Sequence, residues 1–326
     1  MDRTSNLRGA LLGLMAFGIF ATHDVIVKHL GSTYAPFQIV FFSVLFGFPI
    51  VTFLLLRDAT EANLRPKHPW WVALRTGSSV ITGFCAFYAF TVLPLAQTYA
   101  ILFAAPLLIT VLAIPMLGEK VGWRRGVAVL VGLAGVIIVL QPGQTELSLG
   151  HAAALTAAIS GAFASLVVRK IGREERSVVL LLYPMIANFV LMGAAMPFFY
   201  VPMPGQDIAA LAVIAALALA GSAGLIFAYR TAPAIMVAPM QYSQILWATL
   251  YGALLFDEGL EKATLIGSGV IIISGIYIVL REERGGGSST TPVLRTRSRA
   301  GTPGGLRIAP FLSSDRRGPR PPPKPD

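Results

Sequence analysis

Cys85 is the only cysteine in 326 residues, so the chain has no internal disulfide framework. The four histidines, His23, His29, His68 and His151, are scattered and lack metal-ligand spacing, and no C-x-x-C occurs. No metal or cofactor is therefore expected. H-E-x-x-H and G-x-S-x-G are also missing, and no two acids share an apolar run, so no catalytic residue is expected. Charge itself is scarce. Asp, Glu, Lys and Arg make up 13% of the chain against about 25% in an ordinary soluble domain, and apolar residues reach 55% against about 45–50%. A lipid solvent explains both departures. A formal charge of +10 is also a feature of nucleic-acid-binding chains, but here the Lys and Arg lie between apolar runs and in the C-terminal segment, so no nucleic-acid partner is expected.

What the chain does have is long apolar runs. A spanning helix needs roughly 20 apolar residues to cross roughly 30 Å of hydrocarbon. Runs at 36–56, 126–145, 147–168, 208–229, 231–256 and 263–280 each supply one span, and 9–27 supplies another if Asp24 is tolerated. The run from Thr76 to Gly118 is too long for one span, and Pro94, inside VLPLAQ, removes a donor at its middle. It divides into about 71–91 and 95–117. Residues 177–199 complete a set of ten, closed by a loop holding Pro202 and Pro204. The first span carries His23 and Asp24 and has no A-x-A-like site, so it does not read as a cleaved signal peptide.

Cytoplasmic loops retain Lys and Arg. With the N-terminus inside and ten spans, 24 of the 26 Lys and Arg fall on the inner side, and only Lys28 and Lys262 fall outside. Both termini are accordingly expected in the cytoplasm. From 285 to 326 the composition changes to Pro, Gly, Ser and Arg, which cannot bury enough apolar surface to fold alone, so this reads as a disordered basic tail.

Comparison of the chain with itself reveals a repeat. VLPLAQTYAILFAAPLLITVLAIPMLGEK, from 92, resembles TAPAIMVAPMQYSQILWATLYGALLFDEG, from 231. At a shift of 139 Pro94 meets Pro233 and Glu119 meets Glu258; one residue later in register, Gly135 meets Gly275 and Leu140 meets Leu280. Two halves of five helices follow, 1–141 and 149–281. Five is odd, so the second half must enter the bilayer in the opposite sense to the first, as in carriers that alternate access about a midplane site. The expected fold class is thus an all-α integral membrane protein of ten transmembrane helices in two inverted five-helix repeats.

The stretch AFYAFTVLPLAQTYAILFAAPLLITVLAIPMLGEK, its second-half copy ending in LLFDEGL, and THDVIVKHLG in the first span resemble the EamA family of the drug/metabolite transporter superfamily. The resemblance covers 8–281. It implies ten helices, a central cavity framed mainly by helices 1, 3, 4, 6, 8 and 9, and transport of metabolites. THDVIVKHLG and APMQYSQILWATLYGALLFDE look like the subset that includes S-adenosylmethionine and riboflavin uptake carriers. Many members of that subset have an arginine after the aromatic pair of helix 2, where FFSVLF has Ser43.

Asp24 is the only acid inside a span, and a carboxylate in hydrocarbon costs at least about 2.5 kcal/mol. It either pairs with Lys28 one turn on, near the outer headgroups, or serves substrate binding or coupling. Gln241, Gln244, Trp247 and Tyr251 recur at helical spacing along the ninth span, where two amides facing lipid would be costly and two aromatics could stack on a planar ligand. Interhelical hydrogen bonds are the alternative use of these groups. Tyr88 and Gln97 are weaker candidates for the same cavity. Pro94, Pro106, Pro233 and Pro239 mark breaks in helical hydrogen bonding, and Ala128, Gly132 and Gly135 form a small-residue packing seam. Glu119 and Glu258 suit loop hydrogen bonds or pairing with Lys120 and Lys262.

The expected function is a secondary transporter that moves a small organic metabolite across a bacterial cytoplasmic membrane by alternating access. Amides and aromatics without a midplane carboxylate favour riboflavin as substrate; S-adenosylmethionine, an amino acid or another drug or metabolite, imported or exported, is the alternative. A polytopic membrane enzyme is the rival class. The expected partners are the substrate and the lipid bilayer, and a homodimer is compatible with this organisation.

Overall fold

The computed structural model describes residues 3–56, 65–118, 122–142, 147–172, 174–232, 234–259 and 261–284. Glu119, Pro233 and the segment 285–326 lie outside the described residues. Helices make up nearly all of the rest. In the first half they are α1 (Arg3–Gly31), α2 (Pro36–Leu56), α3 (Pro69–Val92), α4 (Leu95–Leu102), α5 (Ala104–Leu117) and α6 (Trp123–Leu140). The second half holds α7 (Leu149–Ile171), α8 (Ser177–Phe199), α9 (Gly205–Thr231), α10 (Ala234–Val237), a 3-10 turn (Ala238–Tyr242), α11 (Ser243–Leu255) and α12 (Lys262–Arg284).

Among the described residues six helices are long and apolar enough to cross a membrane: Leu7–Gly31, Leu95–Leu117, Trp123–Leu140, Leu149–Ile171, Val179–Phe199 and Gly205–Thr231. Pro36–Pro49 and Lys262–Ile278 are shorter apolar stretches. Two of the ten expected spans are absent from both groups. α3 carries Arg75 and a Ser, Thr and Gly stretch, and 234–255 is broken by its 3-10 turn.

Proline sets the breaks. Leu93, ahead of Pro94, is extended (φ −107°, ψ 158°), as steric contact with the proline ring requires, and it separates α3 from α4. Pro106 offers no N–H to the Leu102 carbonyl, and the fourth span breaks there, at Phe103, into α4 and α5. Pro239 does the same to the ninth span, which tightens into the 3-10 turn. α5 stops at Gly118, whose φ of 67° is the left-handed conformation that a glycine adopts without steric cost.

The helices exchange between halves. α1 packs along α9 and, in the equivalent contact, α7 packs along α3; α2 meets α8, and α6 meets α12. The two broken spans meet at equivalent residues, 139 apart: the rings of Phe103 and Tyr242 lie edge-on with centroids 5.2 Å apart. Along α6 and α12, a Cβ on Gly135 would lie 2.9 Å from the Gly267 carbonyl oxygen, and one on Gly267 would lie 2.6 Å from the Gly135 oxygen. Ser274 donates to the Ala128 carbonyl in the same seam. The expected small-residue stripe is therefore the surface on which α12 packs.

The outer surface reverses the soluble pattern. Leu130, Leu246, Leu254 and Ile273 are 68–72% exposed, an apolar surface suited to lipid. The bundle's two ends are tied across the repeats by polar contacts. At the proximal end, where α1 begins, Glu175 Oε2 accepts the Lys67 and His68 amides at 2.8 and 2.9 Å, so an anion sits at the positive end of α3. Lys170 donates to the Met116 carbonyl at 3.1 Å and lies 4.4 Å from the Trp71 ring centroid. At the distal end Gln38 exchanges two hydrogen bonds with the Val201 backbone, at 2.7 and 2.9 Å. Tyr34 donates to Asp207 there at 2.6 Å; that hydrogen bond, then burial and the carboxylate charge, raise the phenol above its usual value.

Candidate functional site

A buried carboxylate must be solvated by the protein if it is to stay charged. Asp24, on α1, is 2% exposed. Its Oδ1 lies 2.7 Å from His23 Nδ1, and its Oδ2 accepts the Tyr99 phenol of α4. The Tyr99 oxygen in turn accepts Gln244 Nε2 of α11 at 3.2 Å. His23, Tyr99 and Gln244 are buried as completely as Asp24. The chain of donors runs from the second half into the first, through the two broken spans, and ends on the carboxylate.

Beside this chain α11 presents an aromatic face. Trp247 and Tyr251 stack with centroids 6.3 Å apart and planes at 25°. The Tyr251 hydroxyl pairs with Thr22 Oγ1 at 3.0 Å, and Thr22 also bonds the Gly18 carbonyl. Gly18 is where the Trp247 indole approaches α1: a Cβ there would lie 3.3 Å from the ring. The indole Nε1 is buried and has no hydrogen-bond partner, which leaves a donor unspent beside the carboxylate network.

Of the residues expected to form a site, Asp24, Gln244, Trp247 and Tyr251 lie together where α11 meets α1 and α4. Gln241 precedes them, half-buried in the 3-10 turn that Pro239 introduces ahead of the α-helix at Ser243. Gln97 is buried on α4 but stands two residues before Tyr99, which turns it to another face. Tyr88 is half-buried on α3, next to Phe87, whose ring meets His23 edge-on at 6.0 Å.

Two expected pairings are corrected. Lys28 does not bind Asp24: its Nζ lies 2.7 Å from Glu258 Oε1, donates to the Leu93 carbonyl at 2.6 Å and sits 5.4 Å from the Phe256 ring centroid. Glu258 takes Lys28 in place of Lys262, and its other oxygen accepts the Leu95 amide at 2.9 Å. The reason is the break at Pro94, which leaves a carbonyl at the end of α3 for the cation and an amide at the start of α4 for the anion. Glu119 lies outside the described residues.

His23, Thr22 and Tyr99 escaped the sequence reading as site residues. Tyr99 left a signal, since a phenol within an apolar span needs an acceptor and Asp24 is the one acid that a span offers.

The profile of the EamA-like transporter family matches residues 7–141 and again 148–281. The chain belongs to the EamA-like transporter family. It is a multi-pass membrane transporter of two EamA repeats. Among its relatives, the S-adenosylmethionine uptake transporter of Rickettsia prowazekii (strain Madrid E) is 26% identical over 283 residues, which cover 85% of this chain and 94% of the relative. The pseudopaline exporter CntI of Pseudomonas aeruginosa (strain UCBPP-PA14) is 25% identical over 279 residues, 85% of this chain and 97% of its own. Uptake and export thus both occur among the names of proteins similar to this one. A solved crystal structure aligns with 88% of this chain and 100% of its own, with a TM-score of 0.57 at 18% identity, a likeness of fold.

Proposed function

We propose that this EamA transporter is an alternating-access carrier whose substrate is a small heteroaromatic metabolite bearing an amine or another cationic centre, with S-adenosylmethionine as the example. In this reading ten spans form two halves, 1–141 and 149–281, with both termini in the cytoplasm of a bacterium, a basic tail at 285–326, and the inner membrane as the site of action. Asp24 and Gln244 hold the polar end of the substrate, while Trp247 and Tyr251 stack on its ring. The observation that carries the proposal is the buried Asp24, which accepts Tyr99 and through it Gln244 of the opposite half. A group joined to both halves is the kind that a substrate must engage when the halves rock about it.

Riboflavin suits amides and aromatics that lack a carboxylate. Asp24 stands among them, and a buried anion selects against a neutral ligand and for a cation. The name of one relative, an S-adenosylmethionine uptake transporter, supports this reading. A transport panel in vesicles tests this: S-adenosylmethionine should be moved, and Asp24→Asn should abolish that flux. Saturable riboflavin flux with no response to S-adenosylmethionine would overturn the cationic reading.

A further inference from the structure

An ionised Asp24, 2% exposed within an apolar span, needs a counter-charge in contact. Sequence spacing offers two cations, Lys28 one turn on and His23 beside it. Lys28 is already held by Glu258 and by the Leu93 carbonyl. His23, itself 2% exposed, has its Nδ1 2.7 Å from the carboxylate.

The other elements around α1 bring no competing cation to this level. α4 contributes the Tyr99 phenol, and α11 contributes neutral Gln244 and Tyr251, the latter held by Thr22. From α3 come Phe87, against His23, and the neighbouring Tyr88, while Arg75 lies about three turns away on the Leu180 carbonyl. On α9 Gly221 lies against Phe20, one turn before His23. Its ionisable groups, Asp207, Tyr229 and Arg230, lie toward its two ends, roughly 10 Å or more along the axis. α2 and α10 contain no ionisable residue, and the 3-10 turn brings Tyr242, whose hydroxyl lies against Gly275 of α12.

We infer that His23 is a proton site whose charge alternates with that of the substrate. In the empty carrier the imidazolium neutralises Asp24. A cationic substrate that docks on the carboxylate replaces that charge, and the His23 N–H proton passes to water on the side the site faces. A buried carboxylate in low dielectric is poorly served by no counter-charge or by two, so one proton exchanges for one positive charge. The proton then moves opposite to the substrate, and a pH difference across the membrane drives the flux. This inference rests on the proposed cationic substrate.

Calorimetric titration of the purified full-length chain with S-adenosylmethionine, in two buffers of different ionisation enthalpy from about pH 6 to 8, reads the exchange directly. About one proton should be released per molecule bound, and while His23 is protonated Kd should fall about tenfold per unit rise in pH. His23→Arg, which keeps a positive charge beside Asp24 that does not leave as a proton, should bind more weakly without proton release, with a Kd that no longer follows pH, and in vesicles it should lose accumulation under an imposed pH difference. If that variant does not assemble, the wild-type titration decides whether a proton is exchanged. Binding with no proton release, or release that survives His23→Arg, overturns the proton exchange and leaves the substrate reading standing. No binding at any pH sinks the substrate reading, and the exchange with it.

Discussion

Single side chains matter most where a buried polar group has one partner. Gln244 donates to the Tyr99 hydroxyl, and a hydrogen bond of this kind is worth about 0.5–1.5 kcal/mol. Gln244→Leu should therefore weaken substrate binding by about two- to tenfold while the protein still folds, which a binding isotherm and a gel-filtration profile check together. At the distal end Lys28 and Glu258 are both mostly buried, so Lys28→Ala strands a carboxylate. That variant should lower the detergent melting temperature, and Glu258→Gln added to it should restore part of the loss, because the stranded charge goes with it. Equal melting of the single and double variants would show that the pair is not coupled. At this scale the sequence was only partly informative. Asp24 stands out in the sequence as a lone intramembrane acid, but its partners do not, since Tyr99 lies 75 residues and Gln244 220 residues away in the chain.

Elements are set by proline and by small residues. Pro94 divides α3 from α4 as its missing donor predicts, and the ninth span breaks around Pro239. The same proline puts Gln241 in a 3-10 turn, an outcome that helical spacing alone cannot reveal because spacing assumes an unbroken α-helix. The α6–α12 seam gives a direct prediction. At Gly135 a Cβ would approach the Gly267 carbonyl to 2.9 Å, which is backbone and cannot turn away. Gly135→Val should therefore overpack the seam by about 1–3 kcal/mol, seen as a lower melting temperature, whereas Gly269→Ala, with open space around its Cβ, should leave melting close to wild type.

For the whole molecule the decisive property is the pairing of two similar halves. The exchange of α1 with α9 and of α7 with α3, and the meeting of Phe103 with Tyr242, are what a two-fold relation between the halves requires. With the N-terminus in the cytoplasm, cysteine placed at Glu261 should react with an impermeant reagent from outside, and cysteine placed at Arg125 should not. The reverse pattern would sink the assigned orientation. Removal of 285–326 should leave transport largely intact, since a Pro, Gly, Ser and Arg segment has no apolar face to dock; loss of assembled protein would show otherwise.

Composition and periodicity determined the lipid solvent, the helical class and the presence of two repeats, because lipid demands apolar runs of fixed length and a copied unit keeps its prolines and glycines in register. Proline positions determined most of the breaks, through the loss of one backbone donor each. The partners of Asp24, Lys28 and Glu258 were decided by tertiary structure alone. Local spacing paired Asp24 with Lys28 and Glu258 with Lys262, whereas packing brings the broken ends of α3 and α4 against the loop after α11, and Tyr99 and Gln244 against α1. A buried charge takes the counter-charge and the donors that packing brings within reach, and nearness along the chain does not measure that distance.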